Sequence, residues 1–134
     1  MTYRYIDHTA DIGIHVVSEN ERGLFEEAAR ALIDILGAAC PDKDLEHLKV
    51  AVEGLDRTDT LVRWLQELLY LIEVKDLRIF SLRVSTLQET FLEAEIEGIH
   101  SPSRLRMEIK AVTYHNLEIA EVDNRVQATI IFDT

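Results

Sequence analysis

Apolar and polar positions alternate along this chain with two periods, one helical and one strand-like. Tyr3–Ile6 reads as a short strand and the polar segment Asp7–Asp11 as the loop after it. Ile12, Ile14 and Val16 then alternate with Gly13, His15 and Val17, the period of a half-buried strand. Leu24, Phe25, Ala28, Leu32, Ile35 and Leu36 recur at helical spacing, with Asn20 as N-cap, Glu21 in the first turn and Gly37 as C-cap. Pro41–Glu46 is a polar loop, and Lys49–Glu53 is a strand that turns Val50 and Val52 inward. Asp56 or Thr58 caps a second helix carrying Leu61, Val62, Leu65, Leu68, Leu69 and Ile72, with Trp64 packed beside that stripe.

After Asp76 the period returns to two. Phe80, Leu82 and Val84 share one face, as do Leu92, Ala94 and Ile96, with Glu93, Glu95 and Glu97 opposite. Leu105, Met107, Ile109 and Ala111 predict another strand beyond the loop at Ser101-Pro102-Ser103. Asp123-Asn124 marks a hairpin turn between Leu117–Val122 and Val126–Phe132. One-sided alternation indicates antiparallel pairing with one wet face. The expectation is an α+β fold: a single compact domain with two helices packed on a mostly antiparallel or mixed sheet.

Composition narrows the class. The 134 residues are enough for one domain with its own core, and 47% hydrophobic with 29% charged residues describes a globular chain. No apolar run reaches membrane-spanning length and no signal-peptide pattern opens the chain, so a cytoplasmic protein with no membrane partner is expected. The single cysteine, Cys40, excludes an internal disulfide and a cysteine-rich metal cluster, and its helix-ending loop fits a small apolar residue better than a nucleophile. A net charge of −11 repels phosphate backbones. Tight, direct nucleic-acid binding is therefore not expected, whereas hard cations and basic proteins are favoured.

The densest chemistry lies in Asp7-His8-Thr9-Ala10-Asp11-Ile12-Gly13. Strand phase puts Asp11 with Gly13 and His15, Asp133 with Thr129 and Ile131, and Lys110 opposite Ile109 and Ala111, all away from the core phases. Were these strands neighbours, Asp11, Asp133 and the carboxylate of the last residue, Thr134, would offer hard oxygen donors for Ca²⁺ or Mg²⁺. Lys110 would then hold an anionic group or one of the carboxylates. The ordinary alternative is that Asp11 closes an Asx-turn and the terminus frays. His8 and His115 stand beside strand ends as acid–base candidates or as hydrogen-bonded loop residues. No zinc spacing, phosphate loop or nucleophile elbow is present. The Glu93, Glu95, Glu97 row reads as a wet strand face that pairs with Arg104 and Arg106, or as an acidic docking surface.

Tyr5-Ile6-Asp7-His8-Thr9-Ala10-Asp11-Ile12-Gly13 resembles the N-terminal signature of the archease family. Phe25-Glu26-Glu27-Ala28-Ala29 and Trp64-Leu65-Gln66-Glu67-Leu68-Leu69-Tyr70 are similar to its helices, with Gln66 where many members carry Asn. Lys110-Ala111-Val112-Thr113-Tyr114-His115, Leu117-Glu118-Ile119 and Ile131-Phe132-Asp133 complete the likeness over residues 1–134. The resemblance implies an accessory protein and not a stand-alone enzyme. Its partner would be the GTP- and metal-dependent RNA ligase of tRNA splicing, whose guanylylation and multiple turnover it promotes. The resemblance assigns a divalent cation (Ca²⁺ first, Mg²⁺ or Mn²⁺ otherwise) to Asp11, Asp133 and Thr134, and a functional role to Lys110. Two alternatives stay open: a general chaperone or oligomerisation modulator, and a small metal-dependent phosphoester hydrolase using Asp11 with His8 or His115.

Overall fold

Both helices start at side chains that satisfy their first free N–H groups. In the computed structural model, which describes residues 2–7 and 11–134 except the side chains of Ile6 and Asp7, Asn20 Oδ1 accepts from Gly23 N–H at 2.7 Å and Asp56 Oδ1 from Asp59 N–H at 2.8 Å. The elements run β1 (Thr2–Asp7), β2 (Asp11–Ser18), α1 (Glu21–Leu36), β3 (Glu46–Glu53), α2 (Arg57–Glu73), β4 (Leu77–Gln88), β5 (Phe91–His100), β6 (Ala111–Val112), β7 (Ala120–Val122) and β8 (Arg125–Asp133). Gly37 ends α1 in the left-handed region at φ 68°, where its N–H meets the Asp34 carbonyl.

The α+β expectation holds, with the strands shared between two antiparallel sheets. One sheet has the order β1-β2-β8-β6, with β7 also on β8; the other is β3-β5-β4. Helix α1 packs on β2 and β4, and α2 on β3 and β6, so each helix touches both sheets. The core they enclose is aliphatic, with Ile14, Val16, Ile130 and Phe132 from one sheet and Val84, Leu92, Ala94 and Ile96 from the other. The whole predicted stripe of α2 is buried. Trp64 is fully buried and donates from Nε1 to the Phe25 carbonyl at 3.0 Å, a bond that locks α2 to α1.

Three expectations are corrected. Leu105–Ala111 forms no strand beyond Ala111 itself. Its backbone bonds are widely spaced, Arg106 N–H to Leu36 O and Lys110 N–H to Asp133 O, while Ile109 is buried and Leu105 and Met107 rest against the core. Its alternation therefore reports packing of an extended segment without a ladder. Leu117–Val122 likewise contributes only β7. Phe80 is 45% exposed because a register shift between Ile79 and Ser81 turns it out of phase, leaving Ile79 and Leu82 inside. A second shift follows Val84, whose N–H is taken up by the Glu26 carboxylate of α1 at 2.9 Å. The hairpin turn holds: Asp123 and Asn124 have φ of 52° and 64°, the left-handed pair that a two-residue connection requires.

The outer face of β3-β5-β4 is a ladder of charge pairs. Glu93 meets Lys49 at 3.7 Å, Glu95 lies between His47 and Arg83, and Glu97 accepts from Ser81 at 3.0 Å. Arg104 and Arg106 take no part in it. Arg106 crosses to the end of α1, where it donates to the Asp34 carbonyl at 2.9 Å.

Candidate functional site

Register decides which polar residues meet. β2 and β8 pair so that Asp11 lies directly opposite Asp133, next to the Ile12–Phe132 and Gly13–Ile131 pairs. Residues directly opposite one another in an antiparallel pair project to the same face, with Cβ atoms about 5 Å apart. Along that row His15 Nδ1 and Thr129 Oγ1 are 2.9 Å apart. On the other side of β8, Ala111 pairs with Asp133, and Lys110 N–H donates to the Asp133 carbonyl at 2.7 Å. Asp11, Asp133 and Lys110, more than 120 positions apart at the extremes of the sequence, thus stand on three adjacent strand ends. Ala111 rather than Lys110 is the register partner of Asp133, so the exposed Lys110 alternates away from it along its segment. Half-buried Thr134 follows directly.

The donor set suits a hard cation. Two carboxylates lie opposite each other in the β2–β8 register, Ala111 is the register partner of Asp133 on the other side, and among the described residues neither carboxylate takes part in an ion pair. Like charges directly opposite are destabilising unless something positive lies between them. Among the described residues no group of three or more His, Cys, Asp or Glu side chains is placed to hold a metal. A cation here would therefore need further oxygen donors and water to complete its shell, as Ca²⁺, Mg²⁺ and Mn²⁺ do. His8 and the interior of the Asp7–Asp11 loop lie outside the described residues.

Lys110 also lines a groove of about 530 Å³ between the last turns of α2 and residues 108–111. Leu69, Tyr70 and Val74 form one wall and Ile109 and Ala111 the other. Glu73 and Glu108 approach from opposite sides; burial, and then the Glu108 charge, raise the Glu73 carboxyl above its ordinary value.

The sequence reading overlooked the clasp that holds this segment. Tyr114 Oη donates to Asp59 Oδ1 at 2.5 Å, while Asp59 Oδ2 accepts from Leu55 N–H and Arg63 Nε, both at 2.8 Å. The Tyr114 bond, followed by the Leu55 N–H, holds the Asp59 carboxyl below the usual carboxylate range, and the same bond raises the Tyr114 phenol. Asp59 follows its helix cap by three residues, so its spacing spoke only of capping. Gln66 Nε2 reaches the Val112 carbonyl at 3.4 Å, and Arg57 the Ile119 carbonyl at 3.2 Å. The strap from Val112 to Ile119 is therefore fastened to α2 at three points.

The remaining candidates have ordinary surroundings. His115 is exposed, with its ring 3.3 Å from the Asn116 amide. Cys40 points its thiol at the Arg78 carbonyl at 3.4 Å, and burial pushes that thiol up, the opposite of nucleophile activation. No helix is long and apolar enough to cross a membrane.

Comparison with known proteins gives a consistent answer. The profile of the Archease protein family (MTH1598/TM1083) matches residues 3–134. The chain is 34% identical to protein archease of Archaeoglobus fulgidus, covering 99% of both chains, and 30% identical to protein archease of Methanosarcina acetivorans, covering 98% of this chain and 94% of the relative. It superimposes on the solution structure of Methanobacterium thermoautotrophicum protein 1598 with a TM-score of 0.73 at 26% identity, covering 98% of each chain. A Thermotoga maritima crystal structure, described as an archease and possible chaperone, gives 0.71 at 22% identity, covering 96% of this chain and 94% of the other.

Proposed function

The chain belongs to the archease family, and on that premise we propose that it is an accessory protein of the GTP- and metal-dependent RNA ligase that joins tRNA halves. In this role it promotes guanylylation of the ligase and its repeated turnover, and it catalyses no reaction alone. The observation that carries the reading is the register of Asp11 on Asp133, two opposed carboxylates at strand ends beside Lys110. A divalent cation bound there would supply positive charge and open positions for a phosphate oxygen or a partner's carboxylate.

The chain's own residues do the rest. Asp11 and Asp133 give oxygen donors fixed by the β2–β8 ladder, with Thr134, directly after Asp133, as the third ligand of this reading. Lys110, tethered through its backbone to Asp133 but with its side chain alternating away from the carboxylates, meets an anionic group of the partner at the same strand end. A net charge of −11 favours a basic, RNA-binding protein over RNA itself as the contact, and the setting is cytoplasmic.

A second reading follows the Thermotoga protein's description as a possible chaperone. Multiple-turnover ligation by the cognate ligase with GTP and Mn²⁺ separates the two. Wild type is expected to raise turnover and folded Asp11→Asn to lose the effect. Full stimulation by that variant would sink the metal assignment. No stimulation by either form, together with suppressed aggregation of unrelated clients, would favour the chaperone. Phosphoester turnover without any partner would instead indicate the hydrolase.

A further inference from the structure

We propose that the groove between α2 and residues 108–111 is the docking site for an extended, arginine-bearing segment of a basic partner protein. The walls are apolar yet open: Tyr70 and Val74, one helical turn apart, remain 45% and 62% exposed at the end of α2. Neighbouring large apolar side chains left bare inside a polar rim mark a surface suited to a partner. The rim is acidic, with Glu73 on α2 and Glu108 on the facing segment. Among the described residues neither has an ion-pair partner, and the charge on Glu108 disfavours that on Glu73. A guanidinium fits this setting better than an ammonium, because its planar fork can bond carboxylates on two sides while its faces lie against apolar and aromatic walls. The Tyr70 ring already attracts a cation, with Lys75 Nζ 5.9 Å from its centroid.

The same features exclude other occupants. Among the described residues that line the groove Lys110 is the one cation, against Glu73 and Glu108, so a phosphate would meet a net negative charge, and a second copy of this chain would bring another net charge of −11. The groove is also continuous with the carboxylate pair: Ala111 lines its wall and is the register partner of Asp133. A segment seated there would therefore deliver its owner's surface to Asp11, Asp133 and Lys110. The partner's identity rests on the accessory-protein reading, whereas the chemistry of the groove does not.

The test has two arms. In the first, NMR amide shifts are followed while an acetylated, amidated Leu-Arg-Leu-Arg peptide is titrated into wild type and into the double variant Glu73→Gln/Glu108→Gln. A peptide with Glu in place of Arg serves as control. Saturable shifts at Gln66, Val74 and Ala111 are expected in wild type only, with the double variant keeping its dispersed, folded spectrum. Absence of saturable shifts at these positions, or equal shifts in the double variant, overturns the proposal. In the second arm, ligation is measured against concentration of each form. The concentration of the double variant needed for half-maximal stimulation should rise at least about tenfold. An unchanged curve overturns the groove as the ligase's docking site while leaving the accessory role standing. Peptide binding without any stimulation of ligase by wild type overturns the ligase reading and supports the groove as a site for another basic partner.

Discussion

Tyr114→Phe removes one hydroxyl and tests the clasp directly. In the folded chain the Asp59 carboxylate has three donors, at 2.5 Å from Tyr114 and 2.8 Å from each of Leu55 N–H and Arg63. Hydrogen bonds to a charged group contribute about 1.5–3 kcal/mol. Tyr114 is half exposed and two donors remain to the carboxylate, so the lower end applies: about 1.5 kcal/mol, or about 5 °C in Tm for a chain of this size. An exposed substitution without such a role stays within about 0.5 kcal/mol. Urea unfolding at neutral pH measures the difference, and a double-mutant cycle with Asp59→Asn isolates the pair. The pH dependence has a defined sign. The folded Asp59 carboxyl titrates below its unfolded value, so this stabilisation is complete above about pH 4 and is lost as pH falls through the lower folded pKa. The gap between wild type and Tyr114→Phe should therefore close as pH falls from about 4 through the lowered folded pKa of the carboxyl. A gap that persists unchanged through that range, or a cycle with no coupling between the two residues, would refute the charge-assisted clasp.

Other perturbations test separate parts of the structure. Without added cation, Asp11→Asn should leave stability unchanged or raise it by up to about 1 kcal/mol, because it removes a like-charge pair. With Ca²⁺ or Mn²⁺ at a hundred times its Kd, wild type should gain about 2.7 kcal/mol in urea melts and the variant nothing; equal gains would move the cation elsewhere. Gly98→Ala should cost several kcal/mol or block folding, since a Cβ there overlaps the Arg78 carbonyl oxygen across β4 and β5, and recovery of a soluble variant with wild-type Tm would contradict the close approach. Asp56→Ala should lose about 1 kcal/mol by freeing the Asp59 N–H at the start of α2, read in the same unfolding assay.

Both helices were legible in the sequence because each carries its own cap, Asn20 and Asp56, and a continuous apolar stripe. The hairpin at Asp123-Asn124 was legible for the same local reason, as the turn demands residues that accept positive φ. Phe80 misled because an inserted residue changes strand phase without any mark in composition. Leu105–Ile109 misled because alternation records which side is buried and not whether a neighbouring strand is present. For the candidate site, phase placed Asp11 and Asp133 away from the core, but their meeting depends on β2 pairing with β8, a long-range choice that no local pattern encodes. The clasp was hidden more deeply: Asp59 and Tyr114 are 55 positions apart, and each has an ordinary local reading.

The charge ladder on β3-β5-β4 has a consequence for how this molecule meets others in solution. Its cations, Lys49 and Arg83, offset part of the charge of its glutamates, so most of the excess negative charge lies over the remaining surface. The protein therefore has an electrical front and back. A cationic body diffusing toward it experiences a torque before any contact forms, and arrives with the ladder turned away. Neutralising Lys49 and Arg83 would blur that preference and slow productive encounters at low ionic strength, although neither residue touches the carboxylate pair or the groove.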